Sequence, residues 1–308
     1  MGAPSQVVTQ EGPTVRIGGF QLHDFVQECQ EPYVIATLRP WIDVNSVGSM
    51  VLRGIGSLYG AVPVGKLDKP GIFYDFTRYR PVIHLDEGIR ELTMPNSSIR
   101  YARREGQNDL LLVRLLEPHA HAEFYVRSVV GLLRKLNAKK YILLGSMYDA
   151  VPHTKPLLVS GYGMGEGART DVAKVGALPI IYRGPSTVVN LITKEAAEAG
   201  IDAVVFIVSL PQYVVVEEDY MGKVRLMEIL NALYNIPVDK DDFDKAVEQR
   251  NTINSRVENS PEVKVLLPNL ESVYDLRLKA MKTEEGPRLS PEMEEMLWKT
   301  IGKDIGKA

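Results

Sequence analysis

Apolar residues in this chain fall into short dense runs, separated by stretches with helical spacing. PYVIATLRPW, residues 32–41, has the β-branched content of a first strand, and VNSVGSMVLRGIGSLYG, residues 44–60, follows on a helical period despite its glycines. AVPVGKL and GIFYDFT read as short extended runs, SIRYARRE alternates, and DLLLVRLL, residues 109–116, is apolar enough for a central strand. From about His119 to Leu136 the apolar positions Phe124, Val126, Val129, Val130, Leu133 and Leu136 gather mostly on one side, as in a helix laid on a sheet. YILLGSM is the strand after it. LLVSGYG and ALPIIYR supply two further extended runs around the glycine-rich GMGEGARTDVAKVG, which reads as a mobile loop. GPSTVVNLITKEAAEAG then reads as a helix ended by Gly200, and AVVFIVSLP as another buried strand.

Strands alternating with helices over some 200 residues define a fold class: α/β, a three-layer α/β/α sandwich with a mainly parallel sheet and right-handed crossovers. The pattern changes near Tyr220. MGKVRLMEILNALYNI, DKDDFDKAVEQRNTINSRV, a run carrying Val263, Leu266, Leu267, Leu270, Val273, Tyr274 and Leu278, and finally SPEMEEMLWKTIG all read as amphipathic helices. The division expected is a core domain over residues 1–219 and a C-terminal helical region over 220–308, the latter packed on the sandwich or on another subunit.

Composition narrows the function. With 45% hydrophobic and 24% charged residues, a chain of 308 residues buries a core without disulfides or structural metals. The 36 basic and 39 acidic residues leave a net charge of −3, which provides no field for holding nucleic acid. Cys29 is the only cysteine, so neither an intramolecular disulfide nor a multi-cysteine metal site is expected, and a reducing cytoplasm fits. No segment reaches the ~20 apolar residues of a membrane span, so no membrane is expected as a partner. Gln6 stands where a myristoylation signal needs Ser or Thr.

Ligands of open α/β sheets bind where strands break into loops at their carboxyl ends. YDAVPHTKP, residues 148–156, lies at such an end, with Pro152 and Pro156 bracketing His153, Thr154 and Lys155. His153 there is a candidate acid or base, and Lys155 a positive charge for a phosphate or carboxylate. The same residues also suit a loop stiffened for the fold alone. In YRGPSTVVN, Gly184 permits close backbone approach, Pro185 suits the first helical position, and Ser186 or Thr187 can cap, leaving amides that welcome an anion. Glu117 ends a buried strand, where a carboxylate serves to accept from backbone amides. His119 and His121 follow it at a spacing that does not share one helix face, so no metal is expected. No phosphate-binding loop, nucleophile elbow or H-E-x-x-H helix is present, and no cofactor is expected.

GSMYDAVPHTKP, YRGPSTVV and SLPQYV, in that order and with an α/β segment between each, resemble the proteasome assembly chaperone 2 family. RPWIDVNSVG, FYDFTRYRP and LLEPHA resemble its upstream segments, and the likeness spans about residues 30 to 250. Thr187, Gln212, Lys155 and Ala122 depart from the pattern; lysine in place of arginine keeps the charge but loses the planar fork. The resemblance implies a phosphorylase/hydrolase-like core, a C-terminal helical region, a homo-oligomer, specifically a trimer, and protein partners. It also places Tyr213, from the P-x-Y element, beside the other pocket candidates. Eukaryotic relatives help to assemble the proteasome α-ring, and some such chaperones dock through a hydrophobic-Tyr-any tail. Residues 304–308, DIGKA, lack that tyrosine, so docking of this kind is not expected. Two functions stay open: a non-catalytic oligomeric scaffold or assembly factor, and an enzyme on a small anionic metabolite, phosphorylase-like or carboxylate-amine ligase-like.

Overall fold

Alternate residues of the strand Tyr33–Arg39 face opposite ways, and both ways are apolar. Val34, Ala36 and Leu38 enter one buried cluster while Ile35 enters another. Such a strand requires a covering layer on each face. The computed structural model, which describes residues 14–23, 29, 31–86 and 88–282, supplies both layers.

In chain order the strands are β1 (Thr14–Ile17), β2 (Phe20–His23), β3 (Tyr33–Arg39), β4 (Val62–Leu67), β5 (Val82–Asp86), β6 (Ile89–Thr93), β7 (Ser98–Ala102), β8 (Leu110–Leu116), β9 (Lys140–Asp149), β10 (Val159–Met164), β11 (Leu178–Pro179) and β12 (Asp202–Pro211). The helices are α1 (Val47–Leu58), α2 (Ala122–Lys135), α3 (Glu166–Lys174), α4 (Val188–Glu198), α5 (Tyr220–Tyr234), α6 (Lys240–Glu258) and α7 (Pro261–Lys282). Ten strands make one sheet in the order β1-β2-β4-β7-β8-β3-β9-β12-β10-β11, and β5 and β6 pair by themselves.

The middle of the sheet, β8-β3-β9-β12, is parallel throughout. Its longest pairing runs in register from Lys140↔Asp202 to Asp149↔Pro211. The flanks are antiparallel: β7, β4, β2 and β1 on one side, and β10 against β12 on the other. The expected sandwich with helices after it is therefore present, with the parallel arrangement concentrated at its centre. Helices α2 and α4 cover one face through Tyr125, Val129, Leu133, Val189 and Ile192. Helices α1 and α5 cover the other through Val51, Ile55, Leu226 and Leu230.

Local readings differ in instructive places. Residues 14–23 form β1 and β2, and β2 pairs with β4. GIFYDFT is not extended: Pro70–Ile72 is a turn of 3-10 helix, with Pro70 supplying the fixed φ that favours it. Residues 82–93, unassigned by periodicity, form the β5–β6 hairpin. ALPIIYR contributes only the two residues of β11.

The glycine-rich stretch is ordered structure. Gly163, one residue before the end of β10, lies against α3, and a Cβ on it would overlap the Ala168 backbone carbonyl. Gly165 starts α3 at φ +99°, hard against the Asp202 carboxylate, where only glycine fits. Glycine here serves close packing. Across α3, Lys140 is buried and pairs with Asp171, which also accepts from Tyr234 Oη at 2.7 Å.

Beyond α5, α6 is tied down by the buried Lys223–Asp242 ion pair and by Gln249, which accepts from Tyr220 N (2.9 Å) and donates to Glu218 O (2.7 Å). The predicted helix SPEMEEMLWKTIG and the DIGKA end lie outside the described residues. Among those described, no helix is long and apolar enough to cross a membrane.

Because backbone, not a flexible side chain, lies where a Cβ would go, Gly163→Ala is expected to cost about 1–3 kcal/mol. A lowered urea midpoint at unchanged m-value checks this.

Candidate functional site

The carboxyl ends of β8, β3, β9 and β12 lie side by side, and the loops leaving them, 117–121, 40–46, 150–158 and 212–219, carry most of the polar groups singled out by sequence. The chain fills these positions with its own contacts, in three clusters.

The first surrounds the loop after β9. His153 is buried; its backbone N–H donates to Tyr213 Oη at 2.7 Å, and its Nδ1 lies 2.6 Å from the same oxygen. The tyrosine oxygen accepts from the amide and shares a hydrogen bond with Nδ1, and its one proton suits a neutral imidazole that accepts at Nδ1. Burial, then the nearby Arg250 cation, hold the His153 pKa below its ordinary value, and burial pushes Tyr213 up to about 12. Thr154 donates its hydroxyl to Glu271, and its carbonyl accepts from Arg250 at 3.0 Å. Lys155 pairs with Asp275 at 3.2 Å. Tyr274 Oη donates to Pro156 O at 2.8 Å, and Asp149, the last residue of β9, takes a two-pronged contact from Arg277 at 2.8 and 3.2 Å. Glu271, Tyr274, Asp275 and Arg277 all belong to α7. The loop is where that helix docks, around a small apolar centre of Val151, Leu158 and Tyr274.

The second cluster is built on Glu117. Its backbone N–H donates to Arg39 O (2.9 Å), its carbonyl accepts from Tyr79 Oη (3.1 Å), and its Oε1 accepts from Val188 N (3.1 Å), the first residue of α4. A carboxylate of the chain thus stands where an external anion would meet this helix terminus. Thr187 occupies the N-cap position without a side-chain cap bond, and Ser186 instead accepts from Asn190. The cap expected from Ser186 or Thr187 comes from Glu117, because the loop enters α4 over the end of β8. Gly184 lies where a Cβ would meet the Tyr182 hydroxyl at 2.5 Å; that hydroxyl donates to Pro185 O. Glu117 Oε2 and Thr187 Oγ1 are buried without a partner. Burial raises the Glu117 pKa, and the Val188 amide only partly offsets it. His119 Nδ1 accepts from Asp75 N (3.1 Å) and its ring lies tilted against Tyr79, while His121 stands at the start of α2.

The third cluster was not legible as a site. The loop after β3 folds across the crevice between β3 and β9: Ser146 N donates to Ile42 O (2.9 Å), Ser146 Oγ to Val44 O (2.6 Å) and Tyr148 Oη to Asn45 Oδ1 (2.8 Å). Asp43 receives the Ser49 amide and hydroxyl at 3.0 and 2.6 Å, and Asp219 caps α5 by accepting from Gly222 N at 2.8 Å. Burial raises the pKa of both carboxyls. Asn45 and Ser46 hold φ of +51° and +58°, an αL pair that turns the loop back over the sheet edge. The signal available was Asp-x-Asn-Ser directly after a strand, a turn-forming set.

No hydrogen bond or ion pair among the described residues joins the His153–Tyr213 group to the Glu117, Gly184, Ser186 and Thr187 group. Hydrogen bonding gathers these candidates into two groups.

The fold is shared with solved structures. The model of the PAC2 family matches residues 37–256, and the chain belongs to that family. A proteasome-assembly chaperone homologue of Mycobacterium tuberculosis is 23% identical, with TM-score 0.69 over 76% of this chain and 99% of that one. A PAC2 family protein from Streptomyces avermitilis is 22% identical, with TM-score 0.68 over 77% and 99%. A protein of unknown function from M. tuberculosis is 21% identical and reaches TM-score 0.74 over 89% and 94%. At these identities the likeness is one of fold. No curated protein matches the chain by sequence.

Two expectations follow. Glu117 has a raised folded-state pKa, so its contribution to stability is complete below the unfolded value and is lost as pH rises through the folded one. The Glu117→Gln variant keeps an acceptor for Val188 N without that proton release. Its stability relative to wild type should therefore climb as pH rises above the ordinary glutamate value of about 4.3, as read from urea midpoints. Removing both ion pairs of α7 with Lys155→Ala and Arg277→Ala should weaken its docking by roughly 1 kcal/mol. Limited proteolysis at Asn259–Ser260 should become several-fold faster while the thermal midpoint of the sandwich stays put.

Proposed function

We propose that this protein is a non-catalytic scaffold or assembly factor that works as a homo-oligomer in the cytoplasm and presents protein-binding surfaces. The observation that carries this reading is the self-occupied carboxyl edge. Lys155 faces Asp275, Thr154 faces Glu271, His153 is neutral against Tyr213, and the α4 terminus faces Glu117. An enzyme for anionic metabolites needs cations and amides free at that edge, and these are committed elsewhere.

The α6–α7 hairpin then takes the role of an attachment. Helix α5 shares the buried cluster of α1 and the sheet, whereas α7 rests on polar pairs and three buried apolar residues. We place the functional division accordingly after α5 and not before it. Family membership supports a role in protein assembly, by analogy with the relative named as a proteasome-assembly chaperone homologue. A trimer is the stoichiometry that the family resemblance in the sequence implies.

Native mass spectrometry of the protein purified gently from its own host tests this directly. A homo-oligomer retaining other polypeptides and no small molecule is the expected result. A stoichiometric metabolite lost on His153→Ala or Glu117→Gln would overturn it in favour of an enzyme.

A further inference from the structure

One row of side chains crosses the antiparallel flank of the sheet. Strand pairing sets Arg16 beside Gln21, Gln21 beside Lys66, Lys66 beside Ser98, Ser98 beside Arg114 and Arg114 beside Thr37, one residue each from β1, β2, β4, β7, β8 and β3. Their chain neighbours Ile17, Phe20, Leu67, Ile99, Val113 and Leu38 all enter the core under α2 and α4, so the row lies on the opposite face, the one that carries α1. Helices α1 and α5 lie over β3, β9 and β12. Beyond them Arg16, Lys66 and Arg114 are exposed.

A solvated face is ordinary for antiparallel strands, and cross-strand neighbours on it usually mix signs. Here the sign is single. Cation and neutral polar residue alternate along the row, and no carboxylate interrupts it. Arg39 and Arg53 add positive charge where the row meets α1. The carboxylates paired with these groups are already engaged: Asp68 with Arg16 at 2.5 Å, Asp43 with Arg39 at 3.5 Å and with Ser49, and Glu218 with Arg53. Lys66 and Arg114 make no hydrogen bond or ion pair among the described residues. Partial burial and then the Arg39 cation lower the Arg114 pKa, Arg53 adds to this, and Asp43 offsets it only in part. Like charges are thus held together at this end of the row.

Spacing narrows what such a face recognises. Neighbouring strands lie about 4.8 Å apart, so cations on every second strand stand about 10 Å apart, the span of roughly three residues of extended chain. Charges set in a line at that interval do not converge on one small anion. They meet carboxylates that recur along a polypeptide. Nucleic acid suits the face less well, because the row has no aromatic side chain on which a base stacks and the whole chain carries a net charge of −3. A membrane suits it less well too, since the row has no apolar side chain to insert.

We propose that this face of β1, β2, β4, β7 and β8 is the docking surface for an acidic segment of a partner protein, with Lys66 and Arg114 as its free cations. This rests on the scaffold reading above and names the chemistry of its partner.

The test uses the full chain and a fluorescein-labelled peptide of Glu-Gly-Ser repeats, whose carboxylates fall three residues apart, with binding read by fluorescence anisotropy at low salt. A Lys-Gly-Ser peptide, a labelled thymidine oligonucleotide and phosphatidylserine vesicles are run beside it. The acidic peptide is expected to bind saturably and to be released as salt rises. Lys66→Glu combined with Arg114→Glu should weaken it about tenfold or more at an unchanged thermal midpoint, since both side chains lie outside the core. Lys194→Glu combined with Lys264→Glu makes the same change of net charge on α4 and α7 and should leave binding intact. Failure of the peptide to bind, or equal losses in the two double variants, would overturn the docking surface. Tighter binding of the oligonucleotide or the vesicles, lost in the Lys66→Glu and Arg114→Glu variant, would overturn it in favour of nucleic acid or membrane. The scaffold reading survives these losses and falls only to the bound metabolite sought by native mass spectrometry.

Discussion

Burial of both faces of the β8-β3-β9-β12 block is the constraint from which the rest of this structure follows. Parallel strands need crossovers, and the crossovers α1, α2 and α4 become the layers that exclude water from Val34, Ile35, Leu143 and Val205. With both faces covered, loops can leave the block only at its ends. The carboxyl end collects four of them, together with every unpaired backbone group they carry, and those groups must find partners there.

The partners are what make this edge unusual for an α/β fold. Three different devices close it: an αL turn at Asn45 and Ser46 that folds the β3 loop back on β9, a carboxylate at Glu117 that satisfies an incoming helix, and a whole helix, α7, that engages the loop after β9. Each satisfies backbone and side-chain groups that a ligand would otherwise meet. All three join residues far apart in sequence, which is why the edge resembled an open pocket when read along the chain.

Layers and order were legible because they depend on local periodicity. The central strands and α1, α2, α4 and α5 announce themselves by continuous runs of Val, Ile and Leu or by apolar stripes at period 3.6. The glycine-rich segment was misleading for a physical reason: Gly163 and Gly165 are there for contact with Ala168 and Asp202, and that contact is invisible until β10 is placed beside β12. The β5–β6 hairpin escaped because its strands mix charged with apolar residues on both faces, so no face stands out. For the site, His153 and Glu117 were recognisable as strand-end residues. What occupies them was not, since Glu271, Asp275 and Val188 lie 71 to 120 residues away.

Glu117 also changes what the start of α4 can recognise. The Val188 amide already holds a carboxylate that is covalently part of the molecule, and a tethered group acts at an effective concentration of about millimolar or above. Any free phosphate or carboxylate is then a competitor and not a first occupant. It gains the terminus only when Glu117 swings aside or takes up a proton, which makes the strand-end carboxylate a built-in filter against the anions abundant in a cell.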